Sequence, residues 1–283
     1  MTRRTFNWDS ITEKMSSMDK KGGYSETDLN LYNPKVKEDG TYDAIIRFVP
    51  SPDTDLPFAL VHNHSFKGAD GRWFIRNCPK TLNKKCPACE RASKLWNDGD
   101  ESAARDRFKK FSAYSNIYVV KDPQNPENEG KVFIYRYGKK LYELIKSKMV
   151  PGNEIDEPVM VFDYDNGANF KLKIRSKTAE VNGKKKSLPN YDASEFMSPS
   201  RLDDKVVDLI ESKLLPLKPY IDDSKFESYE SLLQLLNEAE GLGFVESKPS
   251  AKVASKPAAK VEEKVEEDDD DTSDFFARLK GES

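Results

Sequence analysis

All three cysteines of this 283-residue chain lie within the twelve-residue stretch CPKTLNKKCPAC. Cys86 and Cys89 have the C-x2-C spacing that lets two thiolates reach one tetrahedral zinc ion from a tight turn. Cys78 offers a third ligand, and the two histidines of the chain, His62 and His64, precede it in one strand-like segment. The spacing therefore predicts a structural Cys3His zinc site with one of these histidines as the fourth ligand. A redox C-x-x-C pair or a set of buried structural thiols is the alternative.

The composition indicates a globular body with polar appendages. Charged residues make up 34% of the chain and hydrophobic residues 37%, and the mean hydropathy is -0.76. No apolar run approaches the roughly 18 residues that a membrane span requires, and no apolar segment follows the basic start MTRRTFNWDS. We therefore expect a cytoplasmic protein without a membrane partner. Because thiols stay reduced in that compartment, the odd number of cysteines disfavours a disulfide framework.

Short segments rich in β-branched and aromatic residues indicate a sheet-based fold. We predict strands at 42–50, 58–66, 72–77, 115–122, 131–138, 158–164 and 169–176. Helical patterns fall at 87–98, 139–148, 202–215 and 228–240. Seven strands separated by turn pairs are typical of a partly closed barrel. The expected fold class is therefore mainly β with α additions.

The chain divides into an N-terminal arm at 1–21, a core at 22–245 and a C-terminal tail at 246–283. The arm carries Arg3 and Arg4 and then apolar residues at helical spacing, which predicts a short amphipathic helix. A terminal helix that packs on its own core is the alternative. The tail is a Lys/Ala/Pro linker followed by an acidic run, with little to bury, so we expect it to be disordered.

The formal net charge of -3 hides a strong asymmetry. Residues 261–283 carry ten acidic and three basic residues, a local charge of -7, so the rest of the chain is at +4. Basic residues concentrate at 105–148, with eleven Lys or Arg against five acidic residues, and at 171–186, with seven against one. A basic body with an acidic tail indicates a polyanion-binding site.

Aromatic residues alternate with the cations of the first basic window. Eight of them are Phe108, Phe111, Tyr114, Tyr118, Phe133, Tyr135, Tyr137 and Tyr142. Rings beside Lys and Arg suit single-stranded nucleic acid, because any base can stack and any phosphate can pair. The alternative is that these rings are ordinary barrel core and that the charges form a solvated outer face.

Three stretches of the sequence carry a family resemblance. VVKDPQNPENEGKVFIYRYGKK at 119–140, HSFKGADGRWFIRNC upstream and SLPNYDASEF at 187–196 resemble the helix-destabilising single-stranded DNA-binding proteins of T-even bacteriophages. The resemblance runs over nearly the whole chain. It implies an OB-fold core with an inserted zinc-binding subdomain at about 62–100, a short helical arm for cooperative binding and an acidic interaction tail.

The resemblance also implies particular site residues. It selects His64 over His62, so that the ligands of one structural zinc ion are His64, Cys78, Cys86 and Cys89. It implies self-association through Arg3, Arg4, Trp8 and Ile11. It implies DNA contacts by Arg47, Trp73, Lys109, Lys110, Tyr114, Tyr135, Arg136, Tyr137, Lys139 and Tyr191.

The expected function is cooperative, sequence-nonspecific coating of single-stranded DNA in phage replication, recombination and repair, without enzymatic activity. The expected partners are single-stranded DNA, further copies of the chain, its own mRNA, and replication and recombination proteins that bind the tail. The expected location is the cytoplasm of the infected bacterial host. A zinc-containing nuclease or primase-like enzyme is one alternative, although the sequence contains no H-E-x-x-H, P-loop or G-x-S-x-G motif. A single-stranded RNA-binding regulator is the other.

Overall fold

The computed structural model describes residues 30–69, 71–153, 155–181 and 184–242. The predicted arm at 1–21 and the predicted tail at 246–283 lie outside these residues. Within them, strands and helices occur in about equal measure. The helices in this part of the chain lack the combination of length and apolar character that a membrane crossing requires.

Nine strands form one hydrogen-bonded sheet in the described residues. They are β1 (Leu31–Tyr32), β2 (Thr41–Val49), β3 (Ala59–Lys67), β4 (Trp73–Asn77), β5 (Lys110–Lys121), β6 (Val132–Tyr137), β7 (Ala168–Val181), β8 (Lys184–Asn190) and β9 (Glu195–Pro199).

In the part of the chain that the structure describes, six α-helices and three 3-10 turns connect or flank these strands. The helices are α1 (Pro87–Asn97), α2 (Glu101–Arg107), α3 (Lys139–Met149), α4 (Asp204–Glu211), α5 (Lys218–Ile221) and α6 (Tyr229–Ala239). The 3-10 turns are Pro79–Leu82, Pro126–Asn128 and Asp223–Lys225.

The long strand β5 organises the sheet. Its first half pairs with β3 and its second half with β2, while β6 pairs along the opposite edge. The sheet then continues from β2 through β7 to β8, and β4 pairs with β3. Because strand side chains alternate between faces, each strand contributes to two different surfaces.

One face of the sheet encloses the main apolar core, which we call the sheet core. Phe48 lies at its centre, fully buried, with four aromatic rings within 6.4 Å of its own ring centroid. Tyr135 of β6 and Tyr191, which follows β8, both pack on this core. The two ends of the strand path therefore approach each other across the core, as the curvature of a partly closed barrel requires.

A buried polar network fixes β1 and the loop after β5 to the sheet core. Asp122 is fully buried and accepts hydrogen bonds from the hydroxyls of Tyr32 at 3.0 Å and Tyr42 at 2.7 Å. The side-chain amide of Asn128 donates to the same carboxylate oxygen at 3.2 Å. Buried polar groups are tolerated when their partners are present, and here every partner comes from a different strand or loop.

The predicted β core with added helices is confirmed, and most predicted elements fall within a few residues of their observed bounds. The strand predicted at 158–164 is wrong. Val159, Val161 and Phe162 are buried, but the backbone turns there through hydrogen bonds from Val161 N–H to Val159 O and from Asp163 N–H to Met160 O. Its alternating apolar residues fill the core from an irregular segment, which periodicity alone does not distinguish from a strand.

Candidate functional site

Four potential metal ligands meet in one buried cluster. His64 comes from β3 and Cys78 from the residue after β4. Cys86 and Cys89 come from the start of α1. Cys78 Sγ lies 3.6 Å from Cys89 Sγ, and His64 Nε2 lies 3.3 and 3.5 Å from the sulfurs of Cys86 and Cys89. A tetrahedral zinc ion places two sulfurs about 3.8 Å apart and a sulfur and a nitrogen about 3.6 Å apart, so these residues fit one metal ion.

The turn that presents Cys78 is fastened to β3. The N–H of Cys78 donates to the carbonyl of His62 at 2.8 Å, and the N–H of His62 donates to Thr81 Oγ1 at 2.9 Å. Asn83 ends the Pro79–Leu82 turn with a φ of 56°, a left-handed conformation that Asn tolerates. His62 therefore supports the ligand turn through its backbone, while its side chain lies outside the metal-ligand cluster.

Cys86 and Cys89 lie at the N-terminus of α1. Cys86 is the residue before the helix and Pro87 occupies its first position. Hydrogen bonds with Cys78 and Cys89 lower the pKa of Cys86, whereas hydrogen bonds with Cys78 and Cys86 raise the pKa of Cys89. Three thiolates this close repel one another, and a divalent cation would compensate their charge.

His64 directs one ring nitrogen toward the sulfurs. Its Nδ1–H donates to the carbonyl of Arg107 at 2.8 Å, which leaves Nε2 facing Cys86 and Cys89. Burial lowers the pKa of His64, but hydrogen bonds with Cys78 and Cys86 outweigh burial and raise that pKa to about 9. Protons and a metal ion would compete for the same negative charge here, so binding of a metal ion would release protons from the cluster.

The metal-ligand cluster is enclosed by apolar side chains. All four ligands are buried, and the side chains packed around them include Phe66 and Phe74 of the hairpin and Leu232 and Leu236 of α6. We call the segment from His64 to Arg107, together with α6, the metal module. Four protein ligands fill a tetrahedral site, which is the arrangement of structural rather than catalytic zinc.

A second feature lies on the outer face of the sheet, opposite the sheet core. The ring of Tyr114 stacks on that of Tyr220, with centroids 4.3 Å apart and an interplanar angle of 24°. The guanidinium of Arg136 lies 6.0 Å from the centroid of Tyr114 and donates to Ser112 Oγ. We call Arg136, Tyr114 and Tyr220 the outer stack. Lys110 lies on the same face of β5, because it is four residues from Tyr114 along the strand.

The outer face of the sheet carries three predicted DNA contacts, namely Tyr114 and Arg136 of the outer stack and Lys110 beside them. Arg136 and Lys110 are exposed. Within residues 30–69, 71–153, 155–181 and 184–242, no carboxylate forms an ion pair with either of them. Their charge is therefore available for an anionic ligand.

Three other predicted DNA contacts are buried and require correction. Arg47 is 0% exposed, Tyr135 2% and Tyr137 3%. The guanidinium of Arg47 donates to the carbonyls of Asp163 at 2.8 Å and Ser200 at 3.1 Å. Tyr135 and Tyr137 share a strand face, as expected from their spacing, but that face is the sheet core. We therefore assign these three side chains to the structure of the core.

The remaining predicted contacts are at least partly accessible. Trp73 is 60% exposed on β4, with Lys67 Nζ 5.9 Å from its ring centroid. Lys109 precedes β5 and Lys139 begins α3, and both are half-buried. Tyr191 is half-buried against the sheet core. Direct DNA contact by these residues stays a prediction.

The structure brings together a row of half-buried rings that the sequence did not group with one another. The ring centroids of His62 and Phe111 are 5.8 Å apart, those of Phe111 and Tyr142 5.1 Å, and those of Tyr142 and Phe58 5.6 Å. Phe58 and His62 share one face of the predicted strand, which was the available signal. Tyr142 joins them from helix α3, a contact that spacing along the chain does not reveal. The predicted self-association residues Arg3, Arg4, Trp8 and Ile11 lie outside the described residues.

Comparisons with known proteins agree on one family. Residues 40–239 match the family described as gp32 DNA binding protein like. A single-stranded DNA-binding protein of Enterobacteria phage T2 is 36% identical over 231 residues, which cover 78% of this chain and 73% of that protein. A protein of the same description from Enterobacteria phage T4 is 35% identical over 232 residues, which cover 78% and 74%. The chain therefore belongs to the gp32-like family of DNA-binding proteins.

Proposed function

We propose that this protein binds single-stranded DNA without sequence specificity and without catalysis. The observation that carries the proposal is the outer stack, in which a stacked tyrosine pair lies on one sheet face beside a guanidinium that makes no ion pair within the described residues. The T2 and T4 relatives, which are named single-stranded DNA-binding proteins, support the same function.

The physical basis is the combination of stacking and counterion release. Lys110 and Arg136 would attract phosphates and release condensed cations, so affinity should fall as salt rises. A base that stacks on an exposed ring contributes about 1 to 3 kcal/mol, whichever base it is. Bases in a duplex are already stacked and paired, so this gain favours single strands and shifts the melting equilibrium by mass action.

We propose that the ion held by His64, Cys78, Cys86 and Cys89 is one structural zinc. Mixed thiolate and imidazole donors at tetrahedral spacing are the ligands that zinc prefers. When bound, zinc would neutralise the thiolates and brace the hairpin that carries Trp73. The four-ligand set supplies no free coordination position, which disfavours the nuclease or primase-like alternative.

We further propose that the flanking segments regulate assembly. The arm at 1–21, through Arg3, Arg4, Trp8 and Ile11, would join neighbouring copies along the DNA. The acidic tail at 246–283 would bind replication and recombination proteins, and the protein's own mRNA is a further ligand. These roles, in replication, recombination and repair in the host cytoplasm, rest on the sequence pattern and on the family.

The decisive experiment is a titration of oligo-dT across a salt series, with tryptophan and tyrosine fluorescence as the readout. We expect Tyr114→Ala to weaken binding by about 1 to 3 kcal/mol and Arg136→Gln to reduce the salt slope by about 1. Arg201→Gln is the matched control, because Arg201 is an exposed arginine already paired with Asp165 and Asp204. Unchanged affinity in both outer-stack variants would contradict the proposed interface.

Two parallel measurements address the alternatives. Oligo-rU titrated under the same conditions should bind more weakly than oligo-dT if DNA is the main ligand, and tighter binding would favour the RNA-binding regulator. Incubation of single-stranded DNA with the protein and zinc or magnesium should leave the strand intact. Metal-dependent cleavage would favour the enzyme.

A further inference from the structure

The metal-ligand cluster is packed against a helix that is distant from it in sequence. Helix α6 begins at Tyr229, well beyond the last ligand, Cys89. Leu232 and Leu236 of this helix are fully buried in the same apolar cluster as the ligand cysteines. The hydroxyl of Tyr229 also donates to Glu90 of α1 at 2.6 Å. Helix α6 is therefore one wall of the metal module.

The end of α6 is held by a buried carboxylate between two arginines. Glu240, whose side chain is 7% exposed, lies 2.9 Å from the guanidinium of Arg91 and 2.7 Å from Nε of Arg107. The guanidinium of Arg107 also donates to the carbonyl of Ala103 at 2.8 Å and lies 5.0 Å from the ring centroid of Phe66. A charge buried to this degree contributes only where its partners are fixed, so the three side chains hold one another in a single arrangement.

Arg107 links this ion-pair cluster to the metal ligands. Its backbone carbonyl accepts the Nδ1–H of His64, while its side chain is held by Glu240. The connection from α6 to the ligand therefore runs from Glu240 through Arg107 to His64. Partners of ligating histidines set the ring orientation and change metal affinity when they are altered.

A close backbone contact fastens the C-terminal end of α6 to the turn between β3 and β4. The N–H of Ala69 donates to the carbonyl of Ala239 at 2.7 Å. A Cβ atom on Gly68 would lie 2.4 Å from that carbonyl oxygen, so the approach requires glycine. The described chain then ends at Leu242, three residues after Ala239.

We propose that Glu240 is a positioning residue for the metal site and that metal binding and the docking of α6 stabilise each other. This inference rests on the proposed zinc site. Because the coupling between two binding events is reciprocal, zinc strengthens α6 docking by the same factor by which α6 docking strengthens zinc binding, and a change that undocks α6 therefore weakens zinc binding. Zinc then also fixes the position of the C-terminal end of α6 against the β3–β4 turn.

The test measures zinc affinity in the full-length chain by competition with a chromophoric chelator. We expect Glu240→Gln to bind zinc roughly tenfold more weakly than the unaltered chain. Glu238→Gln is the matched control, because it removes the same charge from an exposed position two residues earlier on α6. The ligand-field absorption of the cobalt-substituted protein should shift in Glu240→Gln and stay unchanged in Glu238→Gln, since it reports the orientation of His64 rather than general stability.

The effect of zinc on the docking of α6 is measured by hydrogen exchange. Removal of zinc should raise the rate of backbone amide hydrogen exchange in residues 229–242 of the unaltered chain. The same removal should raise that rate by a smaller factor in Glu240→Gln. Arg91→Gln, which leaves the link through Arg107 in place, is the second variant and should weaken zinc binding less. Equal zinc affinity and equal cobalt spectra in all three variants would overturn the role of Glu240. A chain without stoichiometric zinc would instead overturn the proposed metal site, and this inference with it.

Discussion

The sheet core and the metal module are stabilised by different kinds of interaction. In the described residues the sheet core gathers seventeen buried residues, with Phe48 among four aromatic neighbours. The buried cluster of the metal module contains eight, and three of those are the ligand cysteines. Burial of apolar area is the main stabilising contribution to a domain. We infer that the sheet core is stabilised mainly by apolar burial, whereas the metal module depends on its ligands and on α6.

Removal of the metal should produce the largest difference in stability between the metal module and the sheet core. Structural zinc contributes on the order of 10 kcal/mol of folding free energy to small modules. We expect chelation, or Cys86→Ser, to raise hydrogen exchange in β4, α1 and α6 while β2, β5 and β7 stay protected. Ser93→Ala, an exposed change on α1, is the control and should alter neither region. Uniform loss of protection across both regions would show that they form one cooperative unit.

A large cavity in the sheet core should have the opposite pattern of effects: it should lower the free energy of unfolding and leave zinc affinity unchanged. Phe48→Ala removes a fully buried ring and should lower the free energy of unfolding by about 3 to 5 kcal/mol, measured by urea denaturation in the presence of zinc. Zinc affinity below the unfolding transition should stay unchanged, because Phe48 and the ligand cysteines belong to separate apolar clusters. Ile155→Ala, at a position that is 91% exposed, should cost less than about 0.5 kcal/mol. A parallel loss of zinc affinity in Phe48→Ala would contradict the separation.

The same contrast explains what the sequence could predict. The three cysteine ligands could be proposed because metal coordination restricts residue type and spacing within a short stretch, whereas the choice of His64 over His62 depended on the family resemblance. The strands could be proposed because alternation and turn residues are local signals. Neither signal states which face of β6 becomes the core, so the sequence does not reveal that Tyr135 and Tyr137 lie in the sheet core.

Contacts between distant segments were beyond the reach of sequence patterns. Tyr220 stacks on Tyr114 from more than one hundred residues away, and Glu240 reaches Arg91 and Arg107 across a similar separation. Such pairs depend on the tertiary arrangement of whole elements, which periodicity does not encode.

The carboxylate of Asp122 is a charged group buried beside the sheet core, and its removal should lower the free energy of unfolding at pH 7. Burial raises the pKa of Asp122, but hydrogen bonds from Tyr42, Asn128 and Tyr32 outweigh burial and lower that pKa below its ordinary value. A carboxylate with a depressed pKa stabilises the folded state above its unfolded pKa of about 4, and this contribution is lost as the pH falls through the folded value. Asp122→Asn should therefore cost about 1 to 3 kcal/mol at pH 7.

The difference between Asp122→Asn and the unaltered chain should shrink as the pH is lowered from 7 toward 3, as measured by urea denaturation at each pH. Asp98→Asn, an exposed change at the end of α1, is the control and should leave stability nearly unchanged at both values. The metal module responds to the same acid range through its ligands, since protons compete with the metal, so zinc content must be measured in parallel. If the stability difference persists unchanged at pH 3 with zinc still bound, the network around Asp122 stabilises the fold by shape and packing rather than by its charge.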